Sequence, residues 1–474
     1  MKRHRIDQGA AKQMKGTGPR NKEKGKKIQD PIRGGKSEEH ISDSEMGPVT
    51  GTEDSCVACM RGLPLSQDDV AAEDYTRVQA ALGKYICEFP AQAQKALDGT
   101  LHYLEEVLSK SAHRMEGDLF PSQAKEYQRT LEQHRSVHPI SALEYSNGGP
   151  EFAEGTIVIC TSRQARQLLE TCTLSVPLMV PRQFNDAPQP PKLLTIEQFR
   201  QQLHFRKPVR GNAWIDVQDF SNDDITKKWE LDAALQHMED PECGPINFLN
   251  IRTLRENVVP WELQGLADYR VLQESGRAGV GNDNQQGLNF PDTFALWGKQ
   301  GTWSLPHVDK HGLYTAVLCE LGEKLWFSWS LDGKALEEWA NDRQCGGRYE
   351  PTQAGFPILM RDGDLLIQPP GTVHAPASVT NVIMTGYFFW CSRTMNTTAR
   401  CALLDLKCPD ITNEDVQPKL GDKLKHLAQA SDLGRLPYHW GKQEDVAEFH
   451  RLEKVSTWVA LGRLLYRQVL ICPS

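Results

Sequence analysis

Gly301-Thr302-Trp303-Ser304-Leu305-Pro306-His307-Val308-Asp309-Lys310-His311-Gly312-Leu313-Tyr314-Thr315-Ala316-Val317-Leu318-Cys319-Glu320-Leu321-Gly322-Glu323-Lys324-Leu325-Trp326-Phe327 is the stretch from which the rest of the chain can be read. His307 and Asp309 stand two residues apart, a spacing that puts both side chains on one face of an extended strand. His374 follows 65 residues after Asp309. Two imidazoles and a carboxylate are the ligands of the facial triad that holds Fe(II) with coordination positions left open. A lone His-x-Asp pair is weak: a chain with 14 histidines yields about one by accident. The flanking residues carry the weight.

Residues 313–319 are apolar and partly β-branched, as in a buried strand; Gly322 marks a tight turn and 325–329 resumes as a second strand. Downstream, Asp362-Gly363 is a turn, 365–367 a short strand, and Pro370-Gly371 a turn that delivers His374. Residues 381–390, Asn-Val-Ile-Met-Thr-Gly-Tyr-Phe-Phe-Trp, read as a buried closing strand. Strand, tight turn, strand on both sides of a metal triad predicts an α+β chain built on a small double-sheet barrel of the jelly-roll or cupin type, a double-stranded β-helix. Helices at both ends are expected to buttress it.

Taken together, W-S-x-x-H-V-D, G-E-K-L-W and P-P-G-T-V-H-A resemble a JmjC domain, of the Fe(II)- and 2-oxoglutarate-dependent oxygenases. The likeness spans 193–393 and is densest between Phe294 and Trp390. It implies that His307, Asp309 and His374 bind Fe(II). It further implies that Lys324 pairs with the distal carboxylate of the cosubstrate 2-oxoglutarate, helped by the Ser304 hydroxyl and by Asn250. A buried dicarboxylate needs a fixed cation and neutral donors. The keto acid would chelate the metal, leave one position for O2, and end as succinate and CO2, with a substrate C–H oxidised.

The chain departs from the family pattern at two places. Where lysine demethylases commonly carry Gly-Gly-Asn after the second histidine, this chain has Thr385-Gly386-Tyr387. Thr385 and Tyr387 are therefore candidate substrate contacts, Tyr387 either as one wall of an aromatic cage for a cation or as core packing. Ten residues after His307, where the family often has a cosubstrate-binding tyrosine, stands Val317; Tyr314 or Thr315 are the candidates to replace it.

Of 474 residues, 39% are hydrophobic and 24% charged, the balance of a soluble globular protein with no membrane-crossing run. Twelve cysteines without framework spacing suit a reducing compartment. Cys56 and Cys59 form half of a zinc knuckle, but no second pair follows and a structural zinc is not expected. Residues 1–36 hold 12 Lys and Arg against 3 Asp and Glu in a chain of formal charge −8. A disordered basic arm is expected over 1–60. Within it, 20–27 has the composition of a nuclear import signal or a weak nucleic-acid tether, or is simply a solvated tail.

A helical region is expected over 61–185, with the stripe Leu101, Leu104, Val107 and Leu108 and a further helix at 165–172. Thr195 is a candidate N-cap after the Pro-rich linker 187–191. The catalytic barrel is expected over 193–393, with an insertion at 331–362 lining its mouth. The C-terminal region 400–474 is again helical, ending in an amphipathic segment at 457–466. The functional expectation is a dioxygenase acting on a protein substrate such as a histone tail, by hydroxylation or, on an N-methyl group, by demethylation. A non-catalytic chromatin or nucleic-acid interaction module and a metal-binding cupin without oxygen chemistry stay open beside it.

Overall fold

The computed structural model describes residues 72–110, 119–133, 144–146, 149–151, 157–204, 213–220, 226–251, 259–273, 292–344, 351, 355–413, 420, 423–424, 427, 429 and 451. The basic arm 1–60, with Cys56 and Cys59, and the segment 457–466 lie outside them. Among the described residues no helix is long and apolar enough to cross a membrane.

The chain begins with α1 (Ala72–Lys110) and α2 (Leu119–Gln133). A hairpin, β1 (Glu144–Ser146) and β2 (Gly149–Glu151), precedes β3 (Val158–Ile159), α3 (Ser162–Thr171) and β4 (Leu178–Val180). Next come α4 (Ile196–His204), β5 (Trp214–Asp219), β6 (Thr226–Glu230), α5 (Leu231–Glu239) and β7 (Ile246–Ile251). Strands β8 (Thr293–Gly298), β9 (Tyr314–Leu321) and β10 (Lys324–Trp329) are followed by α6 (Gly333–Gln344). The last elements are β11 (Phe356–Met360), β12 (Leu365–Gln368), β13 (Val373–Ser378), β14 (Val382–Phe389) and α7 (Met395–Lys407).

This is a mixed α+β fold. Among the described residues, nine strands form one sheet in the order β3-β4-β12-β9-β14-β8-β7-β5-β6, antiparallel except for the β3–β4 pair. A second sheet has the order β11-β10-β13, and bridges from Trp303 to Ala377 and from His307 to His374 lay residues 303–307 along its open edge. The sheets stack as in a β-sandwich. Across the gap the Trp326 indole donates to Gln368 Oε1 at 2.7 Å, joining β10 to β12.

Each outer face is covered. Helices α1 and α2 lie on the small sheet, where Phe89, Leu97 and Tyr127 meet Leu325, Phe327 and Trp329. The Tyr127 hydroxyl donates to the Ala375 carbonyl at 3.1 Å. On the large sheet, α3 places Ala165, Leu168 and Leu169 against Leu365, Ile367, Tyr314 and Phe389. Helices α4 and α5 cover its β5–β7–β8 flank through Phe199, Leu203, Leu235 and Met238. Burial on both faces explains why β11 and β14 read as near-continuous apolar runs rather than alternating ones.

Several expectations need correction. The region 61–185 is not purely helical: β3 and β4 extend the large sheet, with Leu178 to Val180 pairing along β12. The segment 331–362 is only partly an insertion, because its last residues are β11, a full member of the small sheet. His307 and Asp309 are both extended but do not share a regular strand. Pairing stops at His307, and the tight turn Lys310–Gly312 begins directly after Asp309, with His311 at φ 62°. Thr195 does cap α4: its hydroxyl accepts from Gln198 N at 3.2 Å while Gln198 Oε1 accepts from Thr195 N at 3.0 Å.

Candidate metal centre

The two antiparallel pairings of β10 fix what faces the gap between the sheets. Lys324 stands opposite Ser378, Trp326 opposite Pro376 and Ser328 opposite His374. Side chains at i and i+2 share a face, so His374, Trp326 and Lys324 line the same lumen. The edge segment 303–307 brings His307 against His374, with ring centroids 4.3 Å apart. Asp309, one turn further, is tied to β9 by the Thr315 hydroxyl, which donates to its Oδ2.

One donor atom from each of His307, Asp309 and His374 lies within 4.8 Å of the others. His374 Nε2 is 3.9 Å from Asp309 Oδ1. Bonds of about 2.0–2.2 Å place cis ligands about 3 Å apart, so a small contraction would let all three hold one divalent cation. His307 Nδ1 is 2.8 Å from the Leu305 carbonyl, to which it can only donate. That tautomer leaves Nε2 as the donor atom.

His374 is held by three contacts. Its ring stacks on Trp326, 4.9 Å between centroids and 9° from parallel. Its Nδ1 is 3.0 Å from the Thr372 carbonyl and 2.9 Å from the Gln368 amide nitrogen. These two neighbours favour opposite tautomers. The bond to Thr372 requires a proton on Nδ1 and frees Nε2, the atom nearer Asp309, so a cation in the triad selects that form.

Burial sets the charges. It pushes His307 well below the ordinary imidazole value, and the facing His374 adds to the effect. Burial also pulls His374 down to about 4, with the Lys324 charge contributing. Both rings are therefore neutral near pH 7, the form in which an imidazole can bind a metal. Burial raises Asp309, while the Thr315 hydroxyl and His307 pull it back. Lys324 is 4% exposed, and burial lowers it to about 8. Among the described residues it has no carboxylate within salt-bridge distance, and a buried cation is costly without an anionic partner.

The far end of the lumen is polar. The Thr302 hydroxyl donates to Ser378 Oγ at 2.8 Å, and Asn247 Oδ1 is buried without a hydrogen-bond partner. Gly298 leaves room among them: a Cβ there would come within 2.8 Å of Ser378 Oγ and 2.9 Å of Thr302 Oγ1. Ser304, whose amide donates to the Pro376 carbonyl at 2.9 Å, runs along the same strand edge. Near the triad the wall is aromatic. Phe388 pairs with Thr315 and Phe294 with Gly386, and their rings stack at 4.5 Å.

Not every expected residue reaches this space. Thr385 and Tyr387 lie on the opposite face of β14, because they alternate with Met384, Gly386 and Phe388. Thr385 donates to Glu320 at 2.6 Å, and Tyr387 packs with Tyr314, Phe389 and Leu365 under α3. Neither contacts the triad, and Tyr314 shares their layer. Thr315 does face the lumen, but its hydroxyl holds Asp309 rather than standing free for a cosubstrate. Asn250 lies on β7, with its side chain outside the described residues. Sequence reasoning missed Trp326, Gln368, Thr302, Ser378 and the Phe294–Phe388 pair. Stepping by two from Lys324 and from His374 would have found Trp326 and Ser378.

A hollow of about 760 Å³ is lined by Gln300, Gly322, Asp362 and Asn381, none of them a residue of the triad. No protein-family model and no curated protein matches the chain.

Proposed function

We propose that this protein is an Fe(II)- and 2-oxoglutarate-dependent dioxygenase that hydroxylates a protein side chain, built on a double-stranded β-helix. The barrel reading is supported by two four-strand runs, β12-β9-β14-β8 and β11-β10-β13 with 303–307, whose strands alternate between sheets along the chain except at the β10–β11 pair, which stays in the small sheet. The observation that carries the function is the pairing of a His-Asp-His cluster, its two histidines buried and its aspartate half-buried, with a buried lysine in the same lumen that has no carboxylate within salt-bridge distance among the described residues.

When bound, Fe(II) would let O2 oxidise both 2-oxoglutarate, to succinate and CO2, and an unactivated substrate C–H bond, which becomes C–OH. The protein's part is placement. His307, Asp309 and His374 offer three donors from one side and leave the other open. Ser378, opposite Lys324, is four residues along β13 from His374, about 13 Å at strand rise. Lys324 supplies the fixed charge for a distal carboxylate, and the Ser304 hydroxyl a neutral donor. Val317 and Cys319, on the same face of β9 as Thr315, close the lumen with apolar surface.

Hydroxylation is favoured over demethylation by the wall beside Thr315. Phe294 and Phe388 exclude water there, and the residues that would have shaped a methylammonium pocket, Thr385 and Tyr387, face outward. The proposed substrate is a protein side chain, with a histone tail as one candidate. A nuclear setting and weak nucleic-acid contact through the basic arm belong to the same proposal. Protein supplied with Fe(II) should convert 2-oxoglutarate to succinate, and His307→Ala or Asp309→Ala should abolish it. Equal turnover in those variants rejects the proposal. Mass spectrometry of reacted peptide pools should show a gain of oxygen rather than loss of a methyl group.

A further inference from the structure

We infer that Asn413 is a gate on the metal centre, a reading that rests on the triad being one. The turn Pro409–Ile411 that follows α7 is fastened to the centre itself: Val308, the residue between His307 and Asp309, donates its amide to the Ile411 carbonyl at 2.9 Å. Ile411 is fully buried. Two residues further on, the Asn413 amide Nδ2 lies 3.0 Å from His307 Nε2.

That contact falls on the one atom His307 can offer a cation. Its Nδ1 is engaged with the Leu305 carbonyl, so Nε2 carries the single in-plane lone pair. One lone pair cannot accept an amide hydrogen and bind a metal together. Metal entry therefore requires the Asn413 side chain to turn away. Asn413 is exposed, so its side chain can rotate into solvent while Ile411 keeps the backbone pinned. The capped and loaded states exclude each other at one nitrogen.

The test uses the full chain stripped of metal by chelation and titrated with Co(II), followed by visible absorption and stopped flow. Removing a hydrogen bond that competes with the ligand should raise Co(II) affinity about two- to tenfold in Asn413→Ala and speed uptake. Asn413→Asp, which has no amide hydrogen to donate, should also bind more tightly. Because the position is exposed, both variants should keep the wild-type far-UV circular dichroism. Equal or weaker Co(II) binding in both variants overturns the gate while leaving the metal centre standing. Wild-type protein that takes up no Co(II), or His307→Ala protein that binds it as well as wild type, overturns the metal centre and the gate with it.

Discussion

The indole of Trp326 lies flat on the ring of His374, 9° from parallel and 4.9 Å between centroids, while its Nε1 holds Gln368 beside the same imidazole. The His374 ring is thus oriented from β10 and β12 as well as by the Thr372 carbonyl next to its own strand. Trp326→Ala should free the ring and weaken Fe(II) or Co(II) binding about 10–100-fold. Trp326→Phe, which keeps the stack but drops the Gln368 bond, should fall between the two. Isothermal titration of the three proteins reads the order directly.

Lys324 should make cosubstrate binding pH-dependent. Its pKa in the fold is about 8 against 10.5 for a solvated lysine, lowered by burial. Above about pH 8 the empty site loses the charge that a carboxylate needs, so 2-oxoglutarate affinity should fall as pH rises through that value. Titrations from pH 6.5 to 9.5 would show it, and a flat profile would assign the anchoring charge elsewhere.

The same burial predicts a stability effect of known sign. Because the folded pKa lies below the unfolded one, the unfolded chain binds more protons between about pH 8 and 10.5, and this residue's contribution to stability rises with pH across that window. At neutral pH the charged lysine costs the ligand-free fold about 3 kcal/mol. Lys324→Met should raise the melting temperature of ligand-free protein while abolishing 2-oxoglutarate binding, a pairing expected of a binding residue and not of a structural one.

Gly312 closes the turn after Asp309 at φ 58°, and a Cβ there would lie 2.3 Å from the Thr398 carbonyl oxygen of α7. Asp405 of the same helix accepts from the His311 amide at 2.5 Å, and Trp390 Nε1 donates to the His311 carbonyl at 3.1 Å. Gly312→Ala should destabilise the protein by about 2–5 kcal/mol through backbone strain and overpacking. A denaturant titration measures it.

The two faces of β14 should separate in function. Phe388→Ala opens the lumen wall and should lower substrate hydroxylation while metal still binds. Tyr387→Phe, on the outer face, should leave metal affinity and 2-oxoglutarate turnover at wild-type levels. A large loss of turnover in Tyr387→Phe would contradict the register that turns it away from the lumen.

The sequence was legible where neighbours in the chain are neighbours in space. His307, Asp309 and the turns at Gly322 and Asp362-Gly363 announce themselves locally, and His374 is recognisable from its Pro-Gly turn. What was not legible depends on facing. Every residue of β14 is buried, so hydropathy carries no alternation there, and the bulge between Ile383 and Met384 further obscures which residues look inward. Thr385 and Tyr387 are candidate substrate contacts only by their place in the family pattern, which does not tell their face, and of the two roles open to Tyr387 the structure shows core packing. Strands of two or three residues, such as β3 and β4, are too short to leave a periodic signal. Asn413 is 106 residues from the histidine it caps, and no local pattern could pair them.

The most direct measurement is the stoichiometry of Fe(II) bound under anaerobic conditions in the presence of 2-oxoglutarate. The account predicts one Fe(II) per chain, lost in each of His307→Ala, Asp309→Ala and His374→Ala, with folded structure retained in all three. No bound Fe(II) in the wild-type chain, or undiminished binding in the three variants, would contradict it.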